Sequence, residues 1–247
     1  MKFNIGSGLI DIVEIEDSRT QEGESYFKTL VPLRNFRGNY GVPRRRGDSV
    51  IKGFFSACPD ILEKLSQLQT KYHQELSRYI PTVDTNVIIE ENLFYLTQPF
   101  LEGVTFQSYL QGDYSKEEKI KVYGELLFHM INLIDSSEET IGIDGKPENW
   151  LLNPERGWVY IDTFPPFLLD GSETFEKVFN LRGFEKQFVS KPNRSFFRDK
   201  RKISRRFWIK SEKFEPELDY LNATIGIMKD FDTTTKEFFE RMMGDYK

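Results

Sequence analysis

Apolar positions recur with two different periods along the chain, and the first hundred residues carry mostly the shorter one. Residues 9–16 alternate and are rich in Ile and Val. Residues 17–23 form a polar turn, and 25–33 make a second run of strand type, with Pro32 near its end. Residues 34–48 read as a loop, with Gly38, Gly41, Gly47, Pro43 and the triplet Arg44-Arg45-Arg46. Pro59 and Asp60 then open a helix. Its apolar positions Ile61, Leu65, Leu68, Tyr72, Leu76 and Tyr79 keep close to helical spacing, and it runs to Ile80, where Pro81 stops it. Residues 86–90 and 93–100 predict a hairpin that turns at Glu91-Asn92.

The longer period takes over after Leu101-Glu102-Gly103. Ser115 and Glu118 have the spacing of a capping box, which predicts a helix from there to about Asp135. Ile120, Tyr123, Leu127, Met130 and Ile134 form its apolar stripe. Short strands are expected to flank residues 149–161, and the remainder reads as irregular segments and helices. The expected architecture is α+β: a β-rich N-terminal lobe over residues 1–100 and a mostly helical C-terminal lobe over residues 101–247.

Composition narrows the classes. The 247 residues contain no apolar run of the roughly 18 residues that a membrane-spanning helix needs. The start, Met-Lys-Phe-Asn-Ile-Gly-Ser-Gly, has no apolar core of a secretory signal, so a cytoplasmic setting is expected. The lone Cys58 excludes an intramolecular disulfide. With only His73 and His129 beside it, a Cys/His zinc site is not expected. A net charge of -5 argues against a general nucleic-acid partner, although it leaves room for local basic patches.

The chemistry concentrates in Asp144-Gly145-Lys146-Pro147-Glu148-Asn149-Trp150 and, a short way on, Val159-Tyr160-Ile161-Asp162. An Asp, an Asn five positions later and a second Asp after a strand-type run can converge on one divalent cation. Oxygen ligands of this kind suit Mg²⁺, and a carboxylate beside them can accept a hydroxyl proton. Phosphoryl transfer needs this arrangement, because its catalysis is mostly positioning and charge neutralisation.

These residues resemble the protein kinase-like superfamily, which includes the protein kinases, the aminoglycoside phosphotransferases and the choline kinases. Asp144-Gly145-Lys146-Pro147-Glu148-Asn149 is similar to the catalytic loop, and Asp162-Thr163-Phe164 is similar to the metal-binding segment. The resemblance implies a two-lobed kinase-like fold, with a small antiparallel sheet and one long helix in the N-terminal lobe. It implies Asp144 as catalytic base, Lys146 on the transferred phosphate, and Asn149 and Asp162 as Mg²⁺ ligands. Ile5-Gly6-Ser7-Gly8 is similar to the glycine loop, so Gly6, Ser7 and Gly8 are expected over the ATP phosphates. Lys28 is similar to the strand lysine that neutralises them, and Lys52, in Ser49-Val50-Ile51-Lys52, is its rival. Lys28 is preferred because three strands then precede the helix. The family glutamate that pairs with this lysine is placed at Glu75, which flanks the apolar stripe, rather than at Glu63. Gln98-Pro99-Phe100-Leu101-Glu102-Gly103 resembles the hinge, which implies adenine contacts from the main chain of Gln98 and Phe100.

The chain departs from the family at three places. Gly142 stands where the family has a His, Asp11 replaces the third glycine, and Pro165-Pro166 follow the metal-binding segment. The expected activity is ATP- and Mg²⁺-dependent transfer of the γ-phosphoryl group to a hydroxyl acceptor, with a small molecule preferred. A Ser/Thr protein kinase and a scaffolding pseudokinase are the alternatives. Residues 194–210 hold Arg194, Arg198, Lys200, Arg201, Lys202, Arg205, Arg206 and Lys210, interleaved with aromatics. They are expected either to bind an anionic acceptor, nucleic acid or a membrane surface, the acceptor being preferred, or to form a solvated helix face over aromatic core contacts.

Overall fold

The computed structural model describes residues 3–5, 8–10, 31–32, 44–55, 59–90, 93–138, 140–164, 166–168 and 197–231. The chain divides into two compact units. The first draws on Met1–Gln74, Thr82–Glu102 and Thr163–Asn193, the second on Glu75–Pro81, Gly103–Asp162 and Arg194–Lys247. Helices and small antiparallel sheets together make the fold α+β.

In the first unit, β1 (Phe3–Ile5) and β2 (Gly8–Ile10) form a separate antiparallel ribbon with Ile5 opposite Gly8. The expected strand over residues 9–16 is described only as far as Ile10, and the run at 25–33 only at its end; the rest of both lies outside the described residues. A five-stranded sheet follows, built from β3 (Val31–Pro32), β4 (Arg44–Arg46), β5 (Ser49–Phe55), β6 (Asn86–Glu90) and β7 (Leu93–Pro99). Its spatial order is β3-β4-β5-β7-β6.

The arginine triplet is a strand rather than the tip of a loop. Arg46 lies opposite Ser49, so Gly47 and Asp48 alone make the turn. Gly47 has φ +54°, the left-handed conformation that a tight two-residue hairpin demands and glycine supplies without strain. Three consecutive arginines gave no alternation to read. Cross-strand pairing, which the local sequence does not display, makes the strand. Phe100 N–H donates to Asp48 O at 2.7 Å, tying the end of β7 to this turn. The Arg45 guanidinium lies 3.6 Å from the centroid of the Phe100 ring.

Helix α1 (Pro59–Leu76) begins where expected but ends a turn early, in short hydrogen-bonded turns that carry the chain to Ile80. Its buried face is Leu62, Leu65, Gln69, Tyr72 and Leu76, rotated slightly from the expected stripe, so that Gln69 replaces Leu68 at its centre.

In the second unit, β8 (Val104–Thr105) leads into α2 (Phe106–Gln111), and α3 (Lys116–Ser136) follows. The capping box at Ser115 forms as expected: Glu118 N–H donates to Ser115 Oγ at 3.1 Å, and Ser115 N–H donates to Glu118 Oε2 at 3.0 Å. Hydrogen bonding to the carboxyl from the Ser115 backbone N–H first, and from the Ser115 side chain second, holds Glu118 below its ordinary value. Helix α3 buries Tyr123, Leu126, Leu127, Met130 and Ile134. A short 3₁₀ turn, Pro147–Asn149, runs into β9 (Trp150–Asn153), which pairs with β10 (Gly157–Tyr160) on one edge and β8 on the other. Asn153 Oδ1 accepts from Glu155 and Arg156 N–H, closing the β9–β10 turn. Gly103 abuts β9 so closely that a Cβ there would come within 2.2 Å of Leu152 O.

Helices α4 (Lys200–Glu212) and α5 (Tyr220–Met228) complete the unit, capped by Asp199 and Asp219. Phe106 stacks on Phe207 and Phe207 on Tyr123, with ring centroids 5.6 and 4.9 Å apart, and Tyr220 packs edge-on against Tyr123. Burial pushes the Tyr123 and Tyr220 hydroxyls well above their ordinary range, and Tyr123 shares a hydrogen bond with Thr224 at 2.7 Å. Among the described residues no helix is long and apolar enough to cross a membrane.

Candidate active site

The loop Asp144–Lys146 is fixed from several sides within the second unit. Gly142, Ile143, Asp144 and Gly145 are all buried, and Ile143 N–H donates to Phe197 O at 2.8 Å. Asp144 N–H donates to the Tyr160 hydroxyl at 3.2 Å. Asn149 Nδ2 donates to Asp144 O at 3.1 Å, and Lys146 O accepts from Asn149 N–H at the same distance. One step further, Ile161 N–H donates to Asn149 O at 2.9 Å. Hydrogen bonds therefore link Asp144, Asn149 and the residue immediately before Asp162.

The carboxylate of Asp144 lies among cations. Lys146 Nζ is 2.7 Å from Oδ2, and Arg206 Nε is 2.8 Å from Oδ1. The second contact is an ion pair by distance with its N–H directed off the oxygen, so it counts as charge pairing and not as a hydrogen bond. Helix α4 supplies it. Ile203 and Arg206 lie one turn apart on the same face, and a Cβ on Gly145 would lie 3.1 Å from Ile203 Cγ2. Glycine at 145 lets α4 pack close to the loop, and that closeness brings Arg206 onto Asp144. Sequence reasoning placed Arg206 in a diffuse basic patch. Its partner is 62 positions away, and no local pattern marks the pair.

The rest of the basic stretch is a helix with a packed side. Ile203, Ser204, Phe207, Trp208 and Ser211 are buried, whereas Arg201, Lys202 and Arg205 are exposed. Arg201 and Lys202 pair with the cap residue Asp199, and Lys200 pairs with Asp135. Arg198 is buried.

In the first unit a buried polar network surrounds Thr163, the residue after Asp162. Gln69 Nε2, on α1, donates to Thr163 O at 2.7 Å, and Gln98 Nε2, on β7, donates to Thr163 Oγ1 at 2.9 Å. Thr85 Oγ1 shares a hydrogen bond with Thr163 Oγ1 at 3.1 Å. Phe164 packs against Phe94, and Phe167 packs edge-on to Tyr72. No sequence motif pointed to Gln69; burial at the centre of the α1 face identifies it.

The remaining candidates fall as follows. Gln98 is buried and spends its side chain on Thr85 and Thr163. The Phe100 N–H is taken by Asp48 O. Glu75 pairs with Arg78 at 2.8 Å, and Glu63 is exposed. Lys52 lies on β5, opposite Leu96. Gly8 lies in β2, whereas Gly6, Ser7 and Lys28 are outside the described residues. His73 Nε2 lies 2.9 Å from Val83 O, a packing role.

No protein-family model matches the sequence, and no curated protein matches it at a significant level. Among solved structures, the choline kinase LicA from Streptococcus pneumoniae is similar, with 16% sequence identity over 87% of this chain and 97% of that one, at a TM-score of 0.28. A likeness that slight carries no argument about what this chain does.

Proposed function

We propose that the chain is a kinase-like phosphotransferase that moves the γ-phosphoryl group of ATP to the hydroxyl of a small molecule. The observation that supports this is the hydrogen-bonded run from Asp144 through Asn149 to Ile161, which ties the candidate base to one candidate metal ligand and to the residue before the other. In this reading Asp144 takes the proton of the acceptor hydroxyl as its oxygen bonds to the γ-phosphorus and ADP leaves. Lys146, already beside the carboxylate, steadies the transferred phosphate.

The residues fit Mg²⁺. Asn149 donates through Nδ2, which leaves its amide oxygen for a hard cation, and Asp162 would add one carboxylate. Among the described residues no three His, Cys, Asp or Glu side chains cluster as a protein cage. One or two oxygen ligands suit a cation that takes the rest of its shell from phosphates and water. When bound, Mg²⁺ neutralises charge on the phosphates.

For the phosphate-facing lysine the sheet favours Lys52 over Lys28. Lys52 lies on the strand that leads directly into α1, with β7 as its neighbour, and the resemblance places the lysine on a strand followed by the helix. The network at Thr163 supports a further assignment. It holds the residue after Asp162 by three hydrogen bonds, which supplies the rigidity that a histidine at position 142 gives elsewhere in the resembled family.

The test is calorimetric titration of the full chain with MgATP, followed by a transfer assay over amino alcohols, sugars and hydroxy acids. Binding that needs Mg²⁺ and is lost in Asp162→Ala is expected. Wild-type protein that binds no millimolar MgATP refutes the reading.

A further inference from the structure

The pairing of Arg206 with Asp144 names the class of acceptor. We infer that Arg206 is an anion-binding residue of the acceptor site, and that the acceptor carries a carboxylate or phosphate group besides its reactive hydroxyl. The inference deepens the phosphotransferase reading and rests on Asp144 as the base.

The argument starts from the charges on Asp144. Two cations lie within 2.8 Å of one carboxylate, one on each oxygen. Lys146 has a second anion to serve in transfer, the phosphoryl group itself. Arg206 comes from a different element. It is held by a helix whose packing fixes its position: Ile203 against Gly145, Phe207 in the aromatic stack, and Asp199 capping the first turn. The guanidinium also stands 5.6 Å from the Phe197 ring centroid. Its side chain is 25% exposed, so a dissolved anion can reach it, whereas the Asp144 side chain is only 9% exposed.

Guanidinium is a rigid fork of N–H donors that matches carboxylate and phosphate geometry. An arriving anion competes with Asp144 for that fork. As it wins, Oδ1 loses its cation and is left to accept the hydroxyl proton. The exposed side of the same helix carries Arg201, Lys202 and Arg205, which raises the local potential for anions and disfavours cationic alcohols.

The experiment is calorimetry on the full chain without nucleotide, using glycerol 3-phosphate, glycerate, glycerol and choline as probes, repeated with Arg206→Gln and Arg206→Lys. The two anions should bind the wild type, whereas glycerol and choline should not. Arg206→Gln should weaken anion binding about ten- to hundredfold, the worth of a hydrogen bond to a charged group, and Arg206→Lys should recover part of it. MgATP affinity should change less than about twofold in either variant, since the proposal puts no nucleotide contact on Arg206. Thermal melting checks that the variants fold, and Arg206→Lys carries the comparison if the glutamine variant does not. The inference is overturned if the wild type binds neither anion, if the variants bind as well as wild type, or if MgATP affinity falls in step. Wild type that binds the anions but no MgATP removes the phosphotransferase reading and leaves the anion site standing.

Discussion

Gln98 donates from near the end of β7 to the hydroxyl of Thr163, 2.9 Å away and 65 positions later in the chain. That bond fixes the residue that follows the candidate metal ligand Asp162. Both partners are buried, so if the Thr163 hydroxyl is removed the amide keeps only its second acceptor, Thr85 Oγ1 at 3.0 Å, and cannot turn to water.

Thr163→Val keeps the shape of the side chain and deletes the hydroxyl. It should destabilise the fold by about 0.5–1.5 kcal/mol, the net worth of one hydrogen bond, since the Gln98 amide keeps Thr85 as an acceptor. Urea denaturation should show a lower midpoint at an unchanged slope. Thr163→Ser, which keeps the hydroxyl, should lose less. Equal losses would mean that the methyl contact, not the hydrogen bond, matters.

Asp144→Asn conserves volume while removing the proton acceptor. Phosphoryl transfer should fall about 10²–10⁴-fold with MgATP affinity retained. The measurement is steady-state transfer alongside calorimetric MgATP titration. A variant that transfers as fast as the parent excludes Asp144 as the base.

Lys52→Ala should reduce kcat/KM for ATP by about tenfold or more, the worth of one charge-assisted hydrogen bond, and Lys28→Ala should do little. The reverse ranking would return the phosphate contact to Lys28.

His129 lies half-buried on α3, and burial holds its imidazole below the ordinary 6.5, with Glu125 opposing. Its folded value is depressed, so the unfolded chain binds the extra proton first as pH falls. The contribution from neutral His129 is complete above about pH 6.5 and is lost as pH drops through the folded value. His129→Gln should flatten that part of the stability curve. Urea midpoints between about pH 5 and 7.5 decide it: an unchanged slope in the variant assigns the acid sensitivity to other groups.

What the sequence showed and what it hid divide along physical lines. Ser115 and Glu118 were legible because both partners of the capping box sit within one turn. The β6–β7 hairpin was legible because alternation and a polar turn lie side by side. The closeness of Asp144 and Asn149 was legible because both belong to one short loop, which the Asn149 amide closes onto the Asp144 carbonyl. Arg44–Arg46 was hidden, because its strand state comes from Ser49–Phe55 and Val31–Pro32 on either side. The Arg206 contact and the part played by Gln69 were hidden for the same reason: each depends on a partner dozens of residues away, brought near by packing. The small residue at 145 was visible, but the helix it admits was not.

The aromatic stack of Phe106, Phe207 and Tyr123 has a spectroscopic consequence. All three tryptophans, Trp150, Trp158 and Trp208, belong to the same unit as that stack, and Trp158 packs edge-on against Phe106 and Tyr109. Intrinsic fluorescence of this chain excited at the red edge therefore observes one unit and is blind to the other. Far-ultraviolet dichroism observes helices and strands in both. If the two signals melt together, the units unfold as one cooperative body; if emission shifts at a different denaturant concentration, they unfold in sequence, with no label or truncation needed to see it.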